Sequence, residues 1–172
     1  MAEILALVEQ LIAEHKVIKE KFVNLESAMN DARLITDIAH ARDSFKPGSP
    51  DWVVDLYNVK TVLENISSWL EKHFEREETT LRPAIEVYGD NSILSALNQL
   101  LFEHADLRYR MEHSKKRVLE LISGNLEKPL WQATAEDVRS YLDHTNKLIG
   151  THASAENKLF NNLRKAIKKK VS

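Results

Sequence analysis

Glycine and proline are scarce in this chain, and their placement constrains the fold more than any other feature. The 172 residues include only four Gly and four Pro, well below the combined ~12% of an average protein. Most of them fall in three clusters, at residues 47–50, 89–91 and 124–129. Sandwiches, barrels and glycine-rich nucleotide folds need more breaks than this, so the pattern favours long helices. Three breaks predict four helices, near residues 3–44, 50–87, 92–123 and 135–169.

Residues at the breaks are typical of helix ends. Gly89 and Gly124 suit left-handed C-terminal caps. Residues able to cap a helix N-terminus precede three of the predicted helices: Ser49 with Pro50 behind it, Asn91 or Ser92, and Thr134. Because short connections join antiparallel neighbours, we predict an all-α fold, an up-down-up-down antiparallel four-helix bundle. One domain spanning residues 1–172 is expected at this length.

Composition excludes several functional classes. The net charge is only −2 with 29% charged residues, so nothing draws the whole chain toward nucleic acid or an anionic membrane. The absence of cysteine excludes disulfides, a thiolate nucleophile, iron–sulfur clusters and zinc sites with sulfur ligands. Glu3, Glu9 and Glu14 interrupt the apolar N-terminus, which is therefore neither a signal peptide nor a membrane span. We expect a cytoplasmic protein with no nucleic-acid or membrane partner.

Each predicted helix carries one apolar stripe that advances by alternating steps of three and four residues. A few polar residues interrupt these stripes, and they are always a histidine or a histidine followed by a glutamate. The six interrupting residues are His15, His73, Glu77, His104, His152 and Glu156.

The interruptions follow a pseudo-repeat. LIAEHKVIKEKF around His15 resembles LLFEHADLRYRM around His104, and HFEREETTL from His73 resembles HASAENKLF from His152. Each half of the chain thus supplies one lone histidine and one His-x3-Glu pair. With a rise of about 1.5 Å per residue, the six positions fall at similar levels of the predicted bundle. We expect them to converge on one layer of its core.

A metal explains this layer better than mutual hydrogen bonding does. Buried carboxylates and imidazoles are costly unless they are paired or bind a metal. Residues four apart share a helix face, so each His-x3-Glu pair can hold one ion. Imidazole with carboxylate suits iron, manganese or zinc, and two glutamates from opposite halves can bridge two ions. A polar layer without metal remains the alternative.

The order His, His-x3-Glu, His, His-x3-Glu on four helices resembles the hemerythrin-like HHE cation-binding family. The resemblance covers about residues 3–167 and places all six residues on the family's ligand positions. It implies a non-haem centre of two iron ions with bridging carboxylates and an oxo or hydroxo bridge. Manganese or zinc could replace iron. No catalytic side chain is assigned.

The chain departs from the oxygen-carrying hemerythrins at two places. Arg108 stands where they carry a further histidine, and His152-x3-Glu156 replaces their His-x4-Asp pair. The missing histidine leaves a coordination position open, which favours reaction with an oxidant over reversible oxygen carriage.

We therefore expect binding or turnover of O2, peroxide or NO, with a peroxide- or NO-consuming oxidoreductase as one possibility. The alternatives are an iron, oxygen or redox sensor or interaction module, and iron storage or delivery. Neither the electron donor nor the oligomeric state is specified by the sequence.

Other polar residues receive structural interpretations. Glu14 and Glu103 precede the lone histidines but point about 100° away, so we expect them to form salt bridges. Glu78 is expected at the surface, with ligation of an open metal position as the alternative, and His144 is expected to flank the centre rather than bind metal. Pro83 predicts a kink just beyond Glu77.

Overall fold

The computed structural model describes residues 2–31 and 50–169. Within these ranges the chain is all-helical and contains no strand. The helices are α1 (Ala2–Asp31), α2 (Pro50–Arg76), a π-helical segment (Glu77–Leu81), α3 (Arg82–Tyr88), α4 (Asn91–Ile122) and α5 (Lys128–Lys169). Since α2, the π-helical segment and α3 follow one another without a break, four helical stretches result, as predicted. Residues 32–44 of the first predicted helix and Ser49 lie outside the described residues.

The described helices divide into two compact units, each with its own apolar core. Unit 1 contains the described residues within Met1–Lys19, Ser68–Arg108 and Lys147–Ser172, and unit 2 contains those within Glu20–Ser67 and Tyr109–Asn146. One cluster of buried apolar residues in unit 1 comprises Val8, Leu11, Leu81, Ile85, Ile93, Leu97, Leu100, Leu159, Phe160, Leu163 and Ile167. Eight of these eleven residues were predicted as members of the apolar stripes, and Ile85, Phe160 and Ile167 were not. The three-and-four spacing thus identified most of the buried face.

Unit 2 buries its own part of the same stripes. Its core is Phe22, Leu25, Met29, Leu56, Val59, Leu63, Ile66, Met111, Val118, Leu121, Trp131, Val138 and Leu142. Trp131 is 1% exposed, and its indole N–H donates to the carbonyl of Leu121 at 3.0 Å. The one polar atom of this large side chain is therefore satisfied inside the core.

The prediction for the start of the last helix was wrong. α5 begins at Lys128 rather than near residue 135, and Thr134 is 2% exposed within the helix instead of capping it. Pro129 is the reason, because a proline in the first turn of a helix loses no hydrogen bond and has its φ already set. Pro129, which the sequence predicts to lie in the loop, thus lies in the first turn of the helix.

The connection between α3 and α4 also differs from the prediction. Asp90, rather than Asn91 or Ser92, caps α4, since its Oδ1 accepts the N–H of Ile93 at 2.9 Å. Gly89 is extended, with φ −77° and ψ 170°, not left-handed. A Cβ there would lie 2.6 Å from the carbonyl oxygen of Ile85, so close approach requires the glycine. Gly124, in contrast, has the predicted left-handed conformation, with φ 70°.

A π-helical turn follows the first His-x3-Glu pair. The N–H of Arg82 donates to the carbonyl of Glu77, five residues back. Pro83 has no N–H, so the carbonyl of Thr79 cannot receive the usual α-helical bond, and the wider turn accommodates this loss. The proline thus marks a change of helix type at the place where the sequence predicted a kink. Such turns are frequent at functional sites, and this one begins at the buried Glu77.

No helix within residues 2–31 and 50–169 is both long enough and apolar enough to cross a membrane.

Candidate metal centre

All six residues that interrupt the apolar stripes come together in unit 1. α1 supplies His15, α2 supplies His73, the π-helical segment supplies Glu77, α4 supplies His104, and α5 supplies His152 and Glu156. None of the six is more than 9% exposed. We call this set the six-residue centre.

The four imidazoles share one orientation, with Nε2 directed inward. Nε2 of His15 lies 3.1 Å from Nε2 of His73 and 2.8 Å from Glu156. Nε2 of His104 lies 3.2 Å from Glu77, and Nε2 of His152 lies 2.6 Å from Glu156. Four ring nitrogens and two carboxylates therefore face each other at short range.

The inward atoms form two groups, and both glutamates belong to each. Group 1 is His15, His73, Glu77 and Glu156, and group 2 is Glu77, His104, His152 and Glu156. Within each group, one ligand atom from every residue lies within 4.8 Å of the others. This arrangement offers two imidazole nitrogens to each of two ions and two carboxylates that could bridge them.

The chemistry of the donors fits a pair of cations. Within the described part of the chain, seven buried side-chain atoms have no hydrogen-bond partner, and six of them belong to the centre: both carboxylate oxygens of Glu77 and of Glu156, and Nε2 of His104 and of His152. Several of them lie close together, yet none is directed for a hydrogen bond. Leaving such atoms unsatisfied costs about 1–3 kcal/mol each. A cation within each group would satisfy them, so the residues present fit a dinuclear metal site.

Without metal, side chains of the centre bind protons at the positions where metal ions would lie. Burial alone would raise the pKa of Glu156, but the imidazoles of His104, His15 and His152 hold it well below its usual value. Burial raises the pKa of Glu77, and the neighbouring carboxylate of Glu156 raises it further. Burial lowers the pKa of His104, but the carboxylates around its ring outweigh this and raise it to about 9. Metal ions must therefore displace protons when they bind.

Each imidazole is also held on its outer side, through Nδ1. His73 meets Glu14 at 2.9 Å, His104 meets Glu78 at 2.9 Å, and His152 meets Glu103 at 2.8 Å. His15 instead meets the amide oxygen of Asn157 at 3.2 Å. We call these four the outer partners. They fix each ring with Nδ1–H donating outward and Nε2 directed inward, so that Nε2 can bind a metal ion once its proton is displaced.

The sequence did not predict these outer partners of the histidines. Glu14 does form a salt bridge, with Arg76 at 2.6 Å, but its other oxygen bonds to His73. Glu103 bonds to His152, and Glu78, 36% exposed, reaches inward to His104. The pseudo-repeat held the signal for two of them, because Glu-His occurs in both halves and each such glutamate contacts the histidine of a different helix.

Arg108 and Phe74 complete the surroundings of His104. Arg108 donates to Glu71 and to Glu78, at 2.8 Å in each case. Phe74 stacks on the ring of His104 with centroids 3.9 Å apart, and the guanidinium of Arg108 lies 5.2 Å from the centre of the Phe74 ring. Arg108 therefore holds the outer partner of a candidate ligand.

The remaining histidines belong to neither metal group. His144 is exposed and lies in unit 2, and His113 packs against Tyr141 in the same unit, with ring centroids 4.9 Å apart. His40 lies outside the described residues.

Comparison with known proteins agrees with the resemblance seen in the sequence. The family model described as the Hemerythrin HHE cation binding domain matches residues 6–163. No curated protein and no solved structure matches the chain significantly. Because the family model covers most of the chain, and unit 1 brings the family's His and Glu pattern into two groups that could hold metal, the protein belongs to the hemerythrin HHE cation-binding family.

Proposed function

We propose that the six-residue centre holds two iron ions, with an oxo or hydroxo bridge, and that the protein binds or turns over O2, peroxide or NO there. The observation that carries this proposal is that two groups of buried donors share both glutamates. Six of the inward atoms lack any hydrogen-bond partner within the described residues. Ligation by imidazole and carboxylate suits iron, with manganese or zinc as substitutes.

Each residue of the centre has a separate task in this proposal. Glu77 and Glu156 would bridge the ions, and each pair of histidines would bind one ion through Nε2. Once bound, the ions would supply redox chemistry and open positions for a small oxidant. The side chains orient the donors and exclude bulk water. Phe74 and Phe160, at most 1% exposed, cover the rings of His104 and His15.

We also propose the architecture behind this centre, a single up-down-up-down antiparallel four-helix domain. Pairings within unit 1 support it. Glu9 of α1 meets Arg164 of α5 at 2.9 Å, and His15 meets Asn157 at 3.2 Å. Later residues of α1 therefore contact earlier residues of α5, so these two helices run antiparallel. Arg108 of α4 contacts Glu71 of α2, and His104 of α4 contacts Glu78 in the π-helical segment that continues α2. Later residues of α4 thus meet earlier residues of the α2 stretch, so these two stretches also run antiparallel.

The proposal extends to setting and partners. The balanced charge gives the chain no general attraction to nucleic acid or an anionic membrane, and the absence of cysteine favours a cytoplasmic setting. Its partners would be a small diatomic molecule or peroxide and an electron donor.

Reaction of the iron-loaded protein with oxidants tests this function. The protein should be reduced anaerobically, mixed with O2, peroxide or NO in a stopped-flow spectrometer, and compared with metal-free protein. We expect rapid oxidation by O2 and measurable consumption of peroxide or NO by the loaded form only. Reversible O2 binding, undone by degassing, would instead support oxygen carriage.

A sensor is the second candidate, and one observation favours it. α1 contributes only His15 to the six-residue centre, as α4 contributes only His104, whereas α5 contributes both His152 and Glu156. Loss of metal would therefore break the one ligation to α1, and a sensor could respond through this helix. Limited proteolysis separates the two functions, because metal-dependent protection of α1 without any oxidant consumption would favour the sensor.

A further inference from the structure

The two proposed ion positions have the same inner donors. Group 1 and group 2 each contain two histidines, and they share Glu77 and Glu156. The groups behind the histidines can therefore make the two positions differ in how strongly they bind an ion. The outer partners differ in kind, and this difference is specific to the residues of this chain.

Both histidines of group 2 are backed by carboxylates. Nδ1 of His104 lies 2.9 Å from Glu78, and Nδ1 of His152 lies 2.8 Å from Glu103. In group 1 only His73 has a carboxylate, Glu14 at 2.9 Å.

The other histidine of group 1 has a neutral partner. Nδ1 of His15 lies 3.2 Å from the amide oxygen of Asn157, so its outer bond is longer as well as uncharged.

The surrounding charges differ in the same direction. Arg76 pairs with Glu14 at 2.6 Å, which leaves the outer side of group 1 close to neutral. Arg108 pairs with Glu78 and with the additional Glu71. Glu103 then adds a further negative charge to group 2. At 45% exposed, Glu103 is partly screened by water, so its field is weaker than that of a buried charge.

These partners act directly on the donor atoms. A carboxylate that accepts Nδ1–H draws the proton outward and makes Nε2 more basic, whereas an amide does so less. We infer that the two ion positions are unequal: group 2 takes the first ion, and group 1, weakened by Asn157 behind His15, takes the second ion and releases it first. This inference rests on the proposed function.

The experiment is an anaerobic calorimetric titration of the metal-free protein with Fe²⁺, applied to variants of the outer partners. Asn157→Asp places a carboxylate behind His15, and Glu103→Gln removes one from behind His152 without changing its shape. Asn161→Asp is the matched control, since it adds the same charge at an exposed position one turn further along α5. Circular dichroism verifies the fold of each variant.

We expect two binding steps in the unaltered protein. Asn157→Asp should strengthen the second step by about tenfold and leave the first unchanged, while Glu103→Gln should weaken the first by about tenfold. Asn161→Asp should alter neither step.

An effect of Asn157→Asp on the first step, on neither step, or equal to that of Asn161→Asp would overturn the inference while leaving the dinuclear site intact. Binding of fewer than two ions by the unaltered protein would contradict the proposed function itself.

Discussion

Glu77 and Glu156 are chemically identical side chains that the protein places in opposite protonation environments. The imidazoles around Glu156 keep its pKa far below the ordinary value, whereas burial and the charge of Glu156 raise the pKa of Glu77. Two buried carboxylates this close repel each other unless a cation or protons lie between them. Because Glu77 and Glu156 both belong to each metal group, their repulsion destabilises the metal-free protein, whereas the same closeness allows both to bind the ions in the metal-bound protein.

At this scale we predict that Glu77→Ala and Glu156→Ala each reduce the iron content from about two ions per chain to one or none, because each carboxylate serves both groups. His144→Ala is the control, since His144 is exposed and belongs to neither group. The measurement is metal analysis after loading and desalting. Equal iron loss in all three variants would show that the assignment of ligands is wrong.

Among the helices, metal ions would link α4 and α5 through donor atoms that have no hydrogen-bond partner in the metal-free protein. In unit 1 the inward faces of α4 and α5 end on Nε2 of His104 and of His152, neither of which has a hydrogen-bond partner among the described residues. Without metal, local opening near these atoms costs less free energy, because the closed state retains its buried unsatisfied groups.

We therefore predict that chelation of the metal speeds amide hydrogen exchange by at least about tenfold in peptides that contain His15 and His152. Peptides around Trp131, in the core of unit 2, provide the internal reference and should change little. Hydrogen–deuterium exchange with mass spectrometry makes this measurement. Unchanged exchange around both histidines, with loss of metal verified, would contradict a structural role for the ions.

The sequence predicted the buried faces and the six-residue centre because both depend on spacing within one helix. The three-and-four periodicity alone places Leu11 and Leu97 inside, and His73 and Glu77 on one face. It could not predict that Glu14 contacts His73, or that Asn157 contacts His15. Those contacts depend on the rotation and relative level of two different helices, which no periodicity reports. The start of α5 was missed because Pro129 is equally compatible with a loop and with a first helical turn.

At the scale of the whole molecule, the metal-free protein should lose stability as the pH rises. The pKa of His104 is about 9 in the folded protein, compared with 6.5 for an ordinary histidine, and the carboxylates around His73 and His152 raise their pKa values as well, in spite of burial. A group with a raised folded pKa stabilises the fold fully below its unfolded pKa. That contribution disappears as the pH rises from about 6.5 to about 9.

We predict that the melting temperature of the metal-free protein falls by at least about 3 °C between pH 6.5 and pH 9, the shift that roughly 1 kcal/mol produces for a chain of this size. Metal-loaded protein is the control. Its coordinated imidazoles carry no Nε2 proton at either pH, so it should lack most of this fall. Thermal denaturation followed by circular dichroism gives both values. A melting temperature that rises over this range without metal would contradict the assigned proton positions.

Two iron ions on six buried residues of one chain should be visible in the iron content of the protein. The measurement is iron analysis against protein concentration, with a Mössbauer spectrum, for protein made with iron available and purified anaerobically. We predict about two iron ions per chain, coupled through a shared bridge, and loss of that signal in Glu77→Ala and Glu156→Ala. A well-folded preparation that binds no more than one metal ion under any loading condition would contradict this prediction.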